Sequence, residues 1–115
     1  MAYNAIFIDL DGTLLKRDHT ISPQNLKTLA AIKEKYGIPV ILISGRPPQA
    51  MVRYYAELEL STPMVSFNGS LAHYPAGNEV LFESMLDIEV TQSVVDIFRA
   101  EGILNINFFR YYEWY

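Results

Sequence analysis

Strand-length apolar runs alternate with stretches of helical character in the first part of the chain. Residues 6–10 form a largely apolar run, typical of a parallel strand buried on both faces, and residues 39–43 and 64–67 form two more. Residues 22–37 carry the N-cap, first-turn proline, apolar spacing and final glycine of a helix, and residues 47–58 predict a second helix. This succession predicts an α/β protein with a parallel sheet and right-handed crossovers.

The pattern changes in the second part of the chain. Residues 70–74 and 79–83 resemble strands and flank a turn at residues 75–78, which predicts a β-hairpin. Residues 87–102 then predict a helix that ends at a glycine, and the partial alternation of residues 103–109 predicts a further strand.

This change of pattern predicts a division into a core of residues 1–70 and a second region of residues 71–115. The sequence ends within an aromatic run, residues 111–115, that has no turn, cap or polar tail. Such a run is normally half buried in a sheet. We therefore expect the sequence to be the amino-terminal portion of a longer protein.

Composition and charge exclude several classes of function. Nine Lys and Arg residues against 13 Asp and Glu residues give a net charge of −4, and no basic run is present that could follow a nucleic-acid backbone. No apolar stretch approaches the roughly 20 residues of a membrane span, and residues 1–4 lack the basic region of a secretion signal. The absence of cysteine is compatible with the cytoplasm. We expect a soluble cytoplasmic chain that binds neither nucleic acid nor membrane.

Polar and glycine residues follow each of the three predicted parallel strands. They are residues 9–12 after the first strand, residues 44–46 after the second and residues 68–70 after the third. Because the carboxyl ends of parallel strands meet at one edge of a sheet, these residues converge on one crevice. Together they supply carboxylates, a hydroxyl beside glycine amides, and a cation. This combination predicts a phosphate site.

The two carboxylates of the first strand end are the candidate catalytic pair. Asp9 and Asp11 stand two positions apart, so in a continuous strand their side chains face the same side, where one can attack while the other moves protons. The same pattern also occurs in surface turns and in calcium loops. Residues 13–15, Thr-Leu-Leu, lack the further ligands of a calcium loop. A catalytic pair and a surface turn both remain open on the pattern alone.

The other candidates also have structural interpretations. Ser44 follows a buried strand and could be a turn or helix cap, and Arg46 could be an ordinary surface residue. Asn68–Gly69 is the standard pair of a tight turn. His19 and His73 are isolated, without the spacing of metal ligands, and we interpret both as solvent-facing or structural.

Three motifs, each after a predicted strand, resemble those of haloacid dehalogenase-like hydrolases, specifically the Cof-type sugar-phosphate phosphatases. In chain order they are Asp9-Leu10-Asp11-Gly12-Thr13-Leu14-Leu15, Ile43-Ser44-Gly45-Arg46-Pro47 and Phe67-Asn68-Gly69-Ser70. The resemblance covers the whole chain and implies a Rossmann-like α/β core, here incomplete, with a cap domain inserted after the third strand. Residues 71–115 would then be the beginning of a C2-type α+β cap.

The resemblance also implies roles for the candidate residues. Asp9 would be the nucleophile that takes the phosphoryl group, and Asp11 the acid that protonates the leaving oxygen and then activates water. Mg²⁺ would be held by Asp9, by the main-chain carbonyl of Asp11 and by a later acidic motif. Asn68 and Gly69 would form a hinge between core and cap. The residues implied in binding phosphate or substrate are Gly12, Thr13, Ser44, Gly45 and Arg46.

The sequence departs from the family pattern in two respects. A third-motif lysine and a fourth motif of the Gly-Asp-x-x-Asn-Asp kind lie beyond residue 115 in complete relatives, and this sequence has neither. We therefore expect weak or absent turnover by the isolated chain on a small phosphorylated metabolite. The alternative is a truncated, non-catalytic protein that self-associates through an exposed sheet edge. A receiver-like signalling module is less compatible, because it places its acceptor aspartate at a later strand.

Overall fold

A single sheet organises the part of the chain that carries the three motifs. The computed structural model describes residues 3–77 and 79–115, and in these residues the strands form one five-stranded and one two-stranded sheet. In spatial order the strands of the larger sheet are β1 (Ile6–Asp9), β2 (Val40–Ile43), β3 (Met64–Ser66), β4 (Leu71–Tyr74) and β5 (Glu79–Glu83). β1, β2 and β3 are parallel, which confirms the predicted α/β class. β4 and β5 continue the same sheet in antiparallel pairing, and the division at residue 70 stays a prediction.

Capping signals in the sequence fix both ends of the first helix but not those of the second. The helices of the described residues are α1 (Pro23–Tyr36), α2 (Val52–Glu57) and α3 (Ile88–Ala100). Ser22 caps α1 by accepting a hydrogen bond from the Asn25 amide at 3.1 Å, and Gly37 ends it with a left-handed φ of 63°. The predicted single helix over residues 47–58 is instead a short 3₁₀ turn, Pro48–Ala50, followed by α2. Among these helices none is both long and apolar enough to cross a membrane.

The core lies on one face of the sheet. Side chains of α1 and α2 pack with alternate residues of the parallel strands, including Val40, Leu42 and Met64. The prediction that the first strand is buried on both faces is wrong, because in the described residues the core packs against only one face of β1. Its residue Phe7 faces away from the helices and is 63% exposed. β2 has neighbours on both sides, and its burial extends to both faces.

The predicted strand over residues 103–109 is also largely wrong. Only β6 (Phe109–Arg110) is a strand, and it pairs with β7 (Glu113–Trp114). Phe108 exchanges main-chain hydrogen bonds with Tyr115 at the end of this hairpin, whereas residues 103–107 pair with no strand of the described chain and form no ladder. His73 on β4 is buried, with its Nε2 2.8 Å from the Tyr112 hydroxyl, so the structural interpretation of this histidine is correct.

We predict that Leu42→Ala lowers the free energy of unfolding by about 2–5 kcal/mol, because it leaves a cavity in the packed face. Leu42 is fully buried. The matched control is Phe7→Ala, whose exposed position predicts a change within about 0.5 kcal/mol. Urea unfolding of the two variants measures both values. Similar losses in the two variants would contradict the one-sided core.

Candidate active site

The ends of β1, β2 and β3 surround one cleft. The parallel register places Asp9 beside Ile43 and Ile43 beside Val65, so the residues that follow these positions meet at one edge. The cleft has a volume of about 350 Å³. Its lining residues are Asp9, Ile43, Ser44, Gly45, Val65, Asn68 and Gly69. The structure therefore brings one residue or more of each motif together, as the parallel topology predicts.

The second and third motifs are tied together by main-chain hydrogen bonds. The Ser44 amide donates to the Val65 carbonyl at 3.0 Å, and the Ser44 carbonyl accepts from the Asn68 amide at 3.1 Å. The Phe67 amide donates to the Arg46 carbonyl at 3.1 Å. These bonds fix the turn after β3 against the loop after β2, so the two polar loops form one rigid wall of the cleft.

The side chain of Ser44 has a local partner and a free proton. Its Oγ accepts a hydrogen bond from the Arg46 amide at 3.1 Å, which is the turn-capping contact that the structural interpretation expects. A serine hydroxyl that accepts one hydrogen bond can still donate its own proton. Ser44 is buried beside Asp9 in the lining of the cleft. Turn capping and phosphate binding are therefore compatible, and the second stays a prediction.

Gly45 lies close to the Asn68 side chain of the third motif. A Cβ atom at Gly45 would lie 2.8 Å from Asn68 Oδ1, which is inside van der Waals contact. Asn68 and Gly69 have φ values of 54° and 97°, and Phe67 before them has a φ of 51°. Asparagine and glycine tolerate this left-handed region, whereas phenylalanine rarely adopts it. Asn68–Gly69 thus forms the tight turn between β3 and β4, and its role as a hinge stays a prediction.

A tight turn follows β1 and carries the remaining first-motif residues. Gly12 has a left-handed φ of 80°, which lets the chain reverse directly after the strand. The buried side chains of Leu10 and Leu14 anchor the turn in the core. Thr13 Oγ1 lies 3.5 Å from Asp9 Oδ2 and donates a weak hydrogen bond to it.

Asp11 lies in this turn rather than in the strand, so strand alternation does not set the direction of its carboxylate. β1 ends at Asp9, and the chain bends immediately afterwards. The Asp11 carboxylate instead accepts two hydrogen bonds from Arg46, from Nε to Oδ2 and from Nη2 to Oδ1, each at 2.6 Å. This bidentate ion pair is the strong form of carboxylate recognition. The surface interpretation of Arg46 therefore does not hold.

The ion pair changes the acid strength of Asp11. The hydrogen bonds from Arg46 lower the pKa of the Asp11 carboxyl, and partial burial raises it by a smaller amount. The charge of Arg46 lowers it further, and so does that of His19 when its ring is protonated. Asp11 is thus held as a carboxylate. An Asp11 that donates a proton must first give up part of its contact with Arg46.

His19 belongs to this cluster, although sequence reasoning interpreted it as isolated. Its Nδ1 lies 3.3 Å from Arg46 Nη2 and 3.7 Å from Asp11 Oδ1. The solvent-facing interpretation is correct only in that the ring remains largely exposed. No sequence signal identifies this contact, because 27 residues separate His19 from Arg46 and only the fold brings them together.

The oxygen donors at the strand end fit a magnesium ion that retains water ligands. Within the described residues no group of three or more His, Cys, Asp or Glu side chains could hold a metal. Magnesium commonly binds through one or two carboxylates and keeps several waters. Asp9 offers its carboxylate, whereas both carboxylate oxygens of Asp11 are engaged by Arg46. The family resemblance implies the main-chain carbonyl of Asp11 as a ligand, and the engagement of its side chain by Arg46 is compatible with that role.

Comparison with known proteins identifies the family. The sequence profile of the haloacid dehalogenase-like hydrolases matches residues 6–115. The match covers nearly the whole chain, and the chain belongs to this family of hydrolases. The resemblance carried by the three motifs is thereby confirmed.

Curated relatives of the chain are phosphatases. It is 38% identical over 102 residues to the 5-amino-6-(5-phospho-D-ribitylamino)uracil phosphatase YitU of Bacillus subtilis, covering 88% of this chain and 37% of the relative. It is 37% identical over 70 residues to the pyridoxal phosphate phosphatase YbhA of Escherichia coli, covering 61% of this chain and 25% of the relative. The chain therefore spans well under half the length of either relative.

A solved structure shows the same fold. A haloacid dehalogenase-like hydrolase from Bacteroides thetaiotaomicron superposes with a TM-score of 0.79 at 34% sequence identity. The superposition covers 88% of this chain and 39% of that protein. The Rossmann-like α/β architecture is therefore that of the family, and the present chain corresponds to a part of it.

We predict that Asp11 contributes to stability at neutral pH and that this contribution is lost in acid. The pKa of the folded carboxyl lies below its ordinary value of 3.8, so the stabilisation is complete above that value and disappears as the pH falls through the lowered pKa. Because the Asp11 side chain is 47% exposed, solvent screens the pair and the contribution is at most about 1 kcal/mol.

The measurement compares the unfolding free energies of the native chain and Asp11→Asn from about pH 6 down to pH 2, across the titration. The difference between them should shrink in acid. Asp18, whose pKa is lowered to about 2 by Thr20 and Lys16, is common to both proteins and cancels. A difference that stays constant with pH would contradict the ion pair.

Proposed function

We propose that the chain carries the nucleophile and phosphate-binding part of a magnesium-dependent phosphatase acting on small phosphorylated metabolites. The observation that carries this proposal is the position of Asp9, at the end of a parallel strand and in one cleft with Ser44, Gly45 and Asn68. A carboxylate facing a serine hydroxyl and main-chain amides has the groups that phosphoryl transfer needs. The names of both curated relatives specify phosphorylated small molecules, which supports this class of substrate.

In the proposed reaction an oxygen of Asp9 attacks phosphorus, and the bond from phosphorus to the leaving oxygen breaks. Ser44 Oγ and the amides around Gly45 donate hydrogen bonds to the phosphoryl oxygens, supported by Gly12 and Thr13 in the turn beside them. Asp11, which takes up a proton from solvent once it releases part of its contact with Arg46, donates that proton to the leaving oxygen. It then takes a proton from the water that attacks the aspartyl phosphate and regenerates Asp9.

The carboxylate of Asp9 and the main-chain carbonyl of Asp11 would hold Mg²⁺ in this proposal. When bound, the ion supplies positive charge that stabilises the transferring phosphoryl group. The family resemblance implies a third-motif lysine and a further acidic motif, and neither motif is present in these 115 residues. Lost electrostatic stabilisation commonly costs several kcal/mol, so we propose slow turnover. The cysteine-free composition supports a cytoplasmic location.

The test of this proposal is magnesium-dependent release of phosphate from an aryl phosphate, a small and reactive phosphomonoester. Asp9→Asn should reduce the rate to that of buffer, because a carboxamide does not form the aspartyl phosphate. The matched control is Asp18→Asn, which removes an exposed carboxylate from the neighbouring loop. Activity that survives in Asp9→Asn, or is absent from the native chain, would count against the phosphatase.

A second candidate is a non-catalytic protein that associates through the open edge of β1. The Ile6 amide donates to the Pro39 carbonyl, so Ile6 faces β2. Because backbone groups alternate between the two sides of a strand, those of Phe7 face the open edge. The Phe7 side chain is exposed as well. An apolar strand edge of this kind is a template for pairing with a second copy.

Light scattering coupled to size-exclusion chromatography tests the association. The native chain should form a dimer whose fraction rises with concentration, and Phe7→Lys should shift it to the monomer, because a charge on an edge strand opposes pairing. Gln24→Lys on the exposed surface of α1 adds the same charge away from the strand edge and serves as the control. A native chain that stays monomeric throughout would rule out this candidate.

A further inference from the structure

We propose that His19 is a positioning residue that fixes the plane of the Arg46 guanidinium, so that one amino group of Arg46 is left to bind an oxygen of the substrate. The juxtaposition that carries this proposal is the cluster of His19, Arg46, Asp11 and Tyr54. The positioning itself stands on the geometry of this cluster. Its consequence for catalysis rests on the proposed phosphatase function.

The side chain of Arg46 uses three of its N–H donors within the cluster. A guanidinium has five N–H groups and accepts nothing. Nε–H and one N–H of Nη2 bind the two oxygens of Asp11 at 2.6 Å each. The second N–H of Nη2 is directed to Nδ1 of His19 at 3.3 Å. Because arginine can only donate, Nδ1 accepts and the ring proton of His19 lies on Nε2.

His19 is itself held in place. Its backbone adopts a left-handed φ of 59°, and its amide donates to the Lys16 carbonyl at 3.0 Å. Its carbonyl accepts from the Tyr54 hydroxyl at 2.9 Å and from Arg53 Nη2 at 3.2 Å. Tyr54 is only 1% exposed, so this anchor belongs to the core.

Tyr54 also supports the other side of the cluster. The Arg46 Cζ atom lies 5.6 Å from the centre of the Tyr54 ring, within the range of a cation–π contact. The same buried tyrosine therefore sets the position of the His19 carbonyl and the location of the Arg46 guanidinium. The main chain of Arg46 is fixed independently by its bonds to Ser44 and Phe67.

The Nη1 amino group is the donor of Arg46 that remains. The hydrogen bonds that Arg46 makes with Asp11 and His19 use Nε and Nη2 and leave its Nη1 amino group out. Asp11 and His19 bind three N–H groups in one plane, which leaves the two N–H groups of Nη1 to an oxygen of the phosphorylated molecule. Without His19, the guanidinium of Arg46 keeps its two contacts with Asp11 and loses the third contact that orients it.

Two substitutions isolate the acceptor of His19. His19→Asn places a carboxamide oxygen where Nδ1 stands, and His19→Gly removes the acceptor. Asparagine and glycine both tolerate the left-handed backbone at this position, so strain does not distinguish the two variants. The side chain of His19 is 63% exposed, so neither change disturbs the core.

The direct readout is the hydrogen-exchange rate of Arg46 Nε–H, measured by ¹⁵N nuclear magnetic resonance and assigned by its absence in Arg46→Lys. His19→Gly should raise this rate about fivefold, the factor equivalent to about 1 kcal/mol for one hydrogen bond. His19→Asn should restore the native rate. The Nε–H signal of Arg17 serves as an internal control. An unchanged rate in His19→Gly would overturn the proposal.

The kinetic readout separates positioning from a structural role. If Nη1 binds the substrate in both ground and transition states, His19→Gly raises KM for an aryl phosphate about fivefold at nearly constant kcat, and His19→Asn reverses it. A fall in kcat at constant KM would contradict the proposal. If every variant lacks turnover, the phosphatase proposal fails, and the exchange measurement alone still decides the role of His19.

Discussion

Parallel pairing of β1, β2 and β3 is the constraint on which the rest of the site depends. Their register sets Asp9 beside Ile43 and Ile43 beside Val65, so three segments far apart in sequence end at the same edge of the sheet. The packed helices cover only one face of these strands, and that face supplies the apolar contacts that hold the register. A slip of one residue in β1 would bury the Asp9 side chain and remove it from the cleft.

Arg46 connects this sheet edge to the catalytic candidates. Its main chain bonds to Ser44 and Phe67, which fixes it to the second and third motifs, and its side chain grips Asp11 of the first. Arg46 therefore links all three motifs through hydrogen bonds. The coupling has an electrostatic consequence as well, since the bidentate contact keeps Asp11 ionised. In a phosphatase with this site, Asp11 can transfer a proton only when Arg46 releases part of its contact with the Asp11 carboxylate.

Local sequence signals predicted those features of the helices and strands that depend on interactions between residues close together in the chain. The Ser22 cap, the Gly37 end of α1 and the antiparallel pairing of β4 with β5 follow from side-chain chemistry and backbone preference within a few residues, and Asn78 of the predicted turn lies outside the described residues. The strand expected over residues 103–109 failed because a strand requires a neighbour, which no local pattern reports. The two-sided burial expected for β1 failed because coverage of a strand's faces depends on where other elements pack, which the strand's own sequence does not report.

The sequence by itself determined the α/β class, the three polar strand ends and the family, because apolar run lengths, turn residues and motif spacing are local properties of the chain. Only the tertiary structure decided that Asp11 turns away from the strand to Arg46, and that His19 joins them. Those contacts join residues 27 and 35 positions apart. Their geometry depends on the bend after β1 and on the buried Tyr54, and neither is encoded in the spacing of the residues that meet.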